Sequence, residues 1–293
     1  MTVRLFSREW QVAYRMKPQG SILTYQTTPF IAVPNTRRLV AADPFLFTEC
    51  GVTYLFAELF DKKDGRGKLG YAVFDGQTFS KWKVVIDEPY HLSYPNIFRY
   101  KGEIYIVPEA NESETLYAYR ATVFPDQWEK CSPLITGRRL VDTTFLERDA
   151  RCWVFTYDLM PDNNKKLFRC EFQEDRGLLA DSWRCISEND AVARPGGNFI
   201  RVQDKVIRVS QDCAKDYGQA IVFSEVITCN QDKYEEKEIL RIAPKDIKLN
   251  KQFVHGVHTY NANDSLEVID FHKTDFDPMT QIRRLISKLG LWK

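Results

Sequence analysis

Residues 43–58 read DPFLFTECGVTYLFAE: a polar residue, a short apolar strand, a turn, and a second apolar strand ending in another polar residue. The pattern returns as YPNIFRYKGEIYIVPE (94–109), DTTFLERDARCWVFTY (142–157), PGGNFIRVQDKVIRVSQ (195–211) and HGVHTYNANDSLEVID (255–270). The end residues stand 15 apart in four of the segments and 16 apart in the one beginning at Pro195. Segment starts follow one another at 51, 48, 53 and 60 residues, about the length of one four-stranded propeller blade. Each segment is therefore read as the inner hairpin of a blade, which predicts an all-β, five-bladed β-propeller.

A second marker supports the outer halves of the blades. Trp82, Trp128 and Trp183, with Tyr234 in the fourth repeat, each introduce a short apolar strand. Asp75-Gly76, Lys101-Gly102 and Asn263-Asp264 supply turn chemistry between strand-forming runs. The fifth repeat has no outer strands after it. WQVAY and FIAV, in the stretch from Trp10 to Val33, are expected to complete that blade, close the ring and remove an exposed sheet edge. The reading is one domain over 1–293, with blades near 40–88, 90–136, 140–187, 192–244 and 254–272 plus 9–33. The basic tail, which includes IRRLISKLG, reads as a short amphipathic helix packed on the propeller.

Composition narrows the function. Lys plus Arg at 41 against Asp plus Glu at 40 leave a net charge of +1, so no global field recruits nucleic acid. Charges at Arg4, Arg8 and Glu9 interrupt what a secretory signal needs, and no apolar run is long enough for a transmembrane span; a cytoplasmic protein is expected. The seven cysteines are scattered singly and form no C-x-x-C pair, so they read as small buried groups rather than as a zinc site or disulfide framework. No phosphate-loop, dinucleotide, G-x-S-x-G or H-E-x-x-H motif occurs, and no cofactor is expected.

In an antiparallel hairpin, the residue that starts the first strand and the one that ends the second lie at the same end. The spacing thus gathers Asp43, Glu58, Tyr94, Glu109, Asp142, Tyr157, Asp158, Arg194, Gln211, Asp212, His255 and Asp270 at one end of a central channel. Carboxylates facing one another across a channel suit glycosyl chemistry, in which one acid protonates the leaving oxygen and another carboxylate activates water or stabilises positive charge. Asp43, Glu109 and Asp142 are the catalytic candidates. Glu58, His91, Tyr94, His255, His258 and Asp270 are expected to meet a sugar, and Arg194, Gln211, Asp212 and Tyr217 to bind a phosphate, a carboxylate or ring hydroxyls. His255 and His258, three apart, point to opposite faces of a strand and make a poor chelate, so no metal is expected.

The strings ADPFLF (42–47), HLSYPNIF (91–98), YIVPEA (105–110), VDTTF (141–145), ARPGG (193–197), SQDCAKDYG (210–218) and HGVHT (255–259) resemble the N-terminal propeller domain of plant glucosamine inositolphosphorylceramide transferases. Similar bacterial domains are sometimes joined to a formyltransferase-like domain. The resemblance implies a five-bladed propeller related to arabinanase-like and fructosidase-like glycoside hydrolases, with carboxylates in a central funnel. It gives Asp43 the base or nucleophile position, and Asp142 and Glu109 the supporting and acid roles. In the plant proteins the glycosyltransferase fold lies in a separate C-terminal domain.

Three functions follow for testing. The first is a carbohydrate-active enzyme that transfers or hydrolyses glycosyl groups in glycan or glycolipid biosynthesis. The second is a non-catalytic module binding a glycan or nucleotide sugar beside a separate transferase or formyltransferase-like partner. The third is a protein-interaction scaffold.

Overall fold

The computed structural model describes residues 6–17, 28–159, 166–173, 177–249 and 254–276. Four-stranded antiparallel units repeat around an axis. The first blade runs Leu39–Glu49, Val52–Asp61, Arg66–Val73 and Lys83–Ile86. The second runs Ser93–Tyr100, Glu103–Glu109, Tyr119–Val123 and Gln127–Lys130. The third has Leu140–Arg148, Arg151–Asp158 and Lys166–Gln173, with Arg184–Ser187 pairing outside them. The fourth has Ile200–Val202, Lys205–Asp212, Ala220–Cys229 and Tyr234–Ile242.

The fifth blade is assembled from both ends of the chain. Tyr260–Ala262 and Leu266–Phe276 are followed outward by Phe6–Met16 and then Ile31–Ala32. Pairing is unbroken from Phe6↔Phe276 to Met16↔Leu266, so the N-terminal strand covers the edge that Leu266–Phe276 would otherwise expose. The tail expected to be helical lies outside the described residues.

Five apolar clusters fill the spaces between neighbouring blades, one at each interface. Phe45 and Phe56 meet Ile97 and Ile106 between the first and second blades. Val107 and Ala118 meet Val154 and Cys170 between the second and third. Trp153 meets Val206 and Val226, Ile207 and Ile221 meet Ile269 and Phe271, and Val12 and Val268 meet Ala41 and Leu55. Each Val, Ile, Leu or Phe among them, fully buried, stabilises by roughly 1.5–3 kcal/mol. The strands alternate faces, so each blade serves two of these interfaces. Cys152, Cys170 and Cys229 are buried as expected, whereas Cys50 and Cys185 are exposed.

Cys50-Gly51 and Lys101-Gly102 have positive φ at both residues, the conformation of tight hairpin turns whose twist matches the strands. These turns lie at one end of the disc and the polar residues at the other.

Candidate active site

Asp43, Tyr94 and Asp142 occupy equivalent places in three blades, inside the innermost strand rather than at its start. Pairing jumps from Ala42↔Glu58 to Phe45↔Phe56 in the first blade, from Ser93↔Glu109 to Asn96↔Val107 in the second, and from Val141↔Tyr157 to Thr144↔Phe155 in the third. Each jump is a β-bulge, a device that re-aims a side chain. The three residues are left-handed, with φ of 50°, 46° and 52°. Non-glycine residues so placed cost about 1–3 kcal/mol each and cluster where function demands them.

Asp43 is held from three directions. Its Oδ2 accepts the Tyr94 N–H at 3.1 Å, and its Oδ1 accepts the Thr259 hydroxyl at 2.9 Å and lies 3.0 Å from His258 Nε2. Its own N–H donates to Asp270 Oδ2 at 2.9 Å. Burial pushes the Asp43 pKa up, but His258, Thr259 and Arg194 outweigh it and hold the carboxyl below its ordinary value. Asp270 is fully buried and also accepts the backbone N–H groups of His258 and Thr259, at 3.2 and 2.9 Å.

Across the channel, Asp142 Oδ2 accepts from Arg194 Nε and, at 3.0 Å, from Gln211 Nε2. Burial raises its pKa; Arg194 opposes the rise and Asp43 adds to it, with a net shift upward. Glu109 is buried and accepts from Asn111 Nδ2, while Arg194 reaches its Oε2 only at 3.7 Å. Burial, followed by the charge on Asp142, pushes Glu109 up to about 8. The two settings thus favour the ionised form of Asp43 and the protonated form of Glu109. The Arg194 guanidinium lies 5.0 Å over the ring of Tyr217, which is 39% exposed at the rim.

The remaining candidates are placed as follows. Glu58 Oε1 lies 3.2 Å from His91 Nε2, and His91 Nδ1 accepts the Gly67 N–H at 3.0 Å. Burial raises Glu58 despite His91. Burial lowers the His91 pKa, yet Glu58, Glu109 and Glu112 carry it above its ordinary value. The Gly67 N–H works against that rise, because an imidazolium has no lone pair to accept it. Tyr94 is fully buried; its hydroxyl bonds Thr144 and Gly197, so it braces the channel. Tyr157 donates to Asp190, Asp158 pairs with Arg138, and Asp212 pairs with Arg241.

His255 and His258 separate as their spacing requires, but the fifth repeat begins two residues later than expected: its pairing steps from Gly256↔His272 to Thr259↔Asp270, as the first blade steps from Ala42↔Glu58 to Phe45↔Phe56, so Val257 takes the place equivalent to Asp43. His272, not Asp270, is thus the residue equivalent to Glu58, and His255 lies outside the repeat, exposed, with its ring 6.4 Å from that of His272. Trp10 was not foreseen as a site residue. It lies on the closing strand with its ring 4.0 Å from His258, 4.8 Å from His272 and 5.9 Å from Tyr217.

Donor atoms of Asp43, His258 and Asp270 lie within 4.8 Å of one another, compact enough for an ion. The carboxylates there already accept from Tyr94, Thr259, His258 and Asp43 N–H or O–H groups, and a doubly flanked imidazole supplies the cation itself. The donor set fits an internal ion triad, and no metal is assigned to it.

The chain matches the family described as glucosamine inositolphosphorylceramide transferase 1, N-terminal, over residues 21–268. It belongs to that family. The transferase 1 of Arabidopsis thaliana is 32% identical over 207 residues, covering 68% of this chain and 27% of the plant protein. That of Oryza sativa subsp. indica is 30% identical over 239 residues, covering 78% of this chain and 31% of the plant protein. The chain thus spans about a third or less of these relatives. Among solved structures, the catalytic domain of Coprinopsis cinerea GH62 α-L-arabinofuranosidase superposes with a TM-score of 0.61 at 11% identity, over 89% of this chain and 97% of that one. A thermostable family-43 glycoside hydrolase gives 0.57 at 12% identity, over 83% of this chain and 91% of that one. These two likenesses establish the five-bladed fold. No helix among the described residues is long and apolar enough to cross a membrane.

Proposed function

We propose that this chain is a carbohydrate-active domain that hydrolyses or transfers a glycosyl group in its funnel. The observation that carries the reading is the opposite settings of two buried carboxyls: Asp43 accepts from Tyr94 and Thr259 and faces His258, which favours its ionised form, whereas Glu109 accepts from Asn111 with Arg194 no nearer than 3.7 Å, which favours its protonated form. Environments that push two acids apart are how a site divides base from acid. Glu109 would donate its proton to the leaving oxygen. Asp43 would take the proton of an attacking water or acceptor hydroxyl, or attack the anomeric carbon itself; Asp142, tied to Arg194, would set the field between them. The relatives named as transferases and the neighbours named as glycosidases are both consistent with a sugar ligand.

A second reading is favoured by coverage: the chain matches only 27% of the Arabidopsis thaliana relative, so the propeller can serve as a sugar- or nucleotide-sugar-binding module for a separate transferase. A screen with aryl glycosides, oligosaccharides and nucleotide sugars, following both thermal shift and product release, separates the two. Catalysis predicts that Asp43→Asn and Glu109→Gln each lower turnover at least about a hundredfold while binding persists. Binding that stabilises wild type without product release establishes the module instead.

A further inference from the structure

His258 places one ring nitrogen 3.0 Å from Asp43 Oδ1 and the other 2.9 Å from Asp270 Oδ1, on a side chain only 3% exposed. A neutral imidazole carries one N–H and one lone pair, so one of these contacts would set a lone pair against a carboxylate. Both are attractive only when both nitrogens are protonated. The Nδ1–H is not aimed straight at Asp270, so that contact acts through charge more than as an aligned hydrogen bond. The indole of Trp10 packs against the imidazole with ring centres 4.0 Å apart and planes tilted by 53°, and Tyr217 closes another side at 5.0 Å. An aromatic face is a favourable neighbour for a desolvated cation.

We propose that His258 is the positioning residue of the funnel: a buried imidazolium, clamped between Asp43 and Asp270 and covered by Trp10, that fixes Asp43 as an oriented carboxylate. The proposal rests on the reading of Asp43 as the reactive carboxylate. Around His258 the first blade supplies Asp43 and Glu58, the third Asp142, the fourth Cys213 and Tyr217 with Arg194 against the Tyr217 ring, and the fifth Asp270, with His272 on the other side of Trp10. Carboxylates outnumber cations in that set, and Arg194 is itself engaged by Asp142 and Glu109. The closest charges to the imidazole are both negative. Burial alone would keep it neutral, and Asp270 and Asp43 reverse that.

The decisive measurement is a pair of NMR titrations on the full chain, neither of which needs turnover. In wild type, the two ring nitrogens of His258 are expected to remain protonated well above the ordinary histidine value of 6.5. A neutral tautomer at pH 7 overturns the proposal, and this readout requires no variant to fold. In His258→Gln, the Asp43 carboxyl should titrate at least about one unit higher, a tenfold loss of acidity; an unchanged Asp43 also overturns it. Trp10→Phe, which keeps an aromatic cover, should preserve both signatures. If a glycosyl reaction is found, His258→Gln should lower kcat and move the acid limb of its pH profile upward with little change in KM. Both titrations as expected, with no turnover on any sugar, leave the clamp standing and remove only the catalytic reading.

Discussion

The Tyr94 hydroxyl accepts the backbone N–H of Gly197 at 2.7 Å, joining the second blade to the fourth across the channel. The same hydroxyl meets Thr144 Oγ1 of the third blade at 3.0 Å. Tyr94→Phe keeps the ring against Phe45 but strands a buried N–H, at a cost of about 1–3 kcal/mol. Thermal unfolding should fall by several degrees. An unchanged midpoint would mean that water replaces the hydroxyl.

Gly197 and Gly196 are adjacent but should differ sharply when changed. A Cβ on Gly197, whose φ is 148°, would sit 1.9 Å from the Tyr260 carbonyl oxygen, whereas on Gly196 the nearest atoms lie at 3.0 Å. Gly197→Ala should cost more than about 2 kcal/mol and exceed Gly196→Ala in a denaturant titration. Equal effects would show that the Tyr260 backbone moves freely.

Glu109 makes stability depend on pH in a defined window. Between its ordinary value of 4.5 and about 8, the folded chain holds a proton that the unfolded chain releases, so raising the pH through this window weakens the fold. Glu109→Gln removes that dependence. Relative to wild type, the variant should gain at least about 1 kcal/mol on moving from pH 4.5 to 8.5. Parallel stability curves for the two proteins would contradict a protonated Glu109.

The same groups set the limits of any glycosyl reaction. Activity that needs protonated Glu109 and ionised Asp43 should fall above about pH 8, while its acid limb lies below the ordinary aspartate value of 3.8. In Asp142→Asn the alkaline limb should move down, because the charge that helps to raise Glu109 is gone. A limb that stays in place would assign the acid role to another group.

The ring of hairpins was legible in the sequence because strand length and turn chemistry are local properties. Lys101-Gly102 marks a turn wherever it occurs, and a polar residue after YIVP marks a strand end. The bulges were harder to see. Pro44 and Pro95 follow two of the three left-handed residues, and a residue without an N–H suits a break in the ladder, but Thr143 gives no such cue. The fifth hairpin misled by two positions: it keeps the spacing of the others but runs from Val257 to His272, and the polar residues His255 and Asp270, two earlier at each end, imitate its ends. Trp10 escaped for another reason. Which residue of a closing strand meets the funnel depends on its register against Leu266–Phe276, a pairing between distant parts of the chain that no local pattern encodes.

That pairing gives the funnel a history as well as a shape. Contacts between segments so far apart form late, because the chain must first surrender the freedom of everything between them. Trp10 stands on one side of the seam and His258 on the other. The aromatic wall therefore exists only in molecules whose ring has shut. A sugar that rests against Trp10 would act as a latch, and its arrival would be felt first as a longer lifetime of the closed fold.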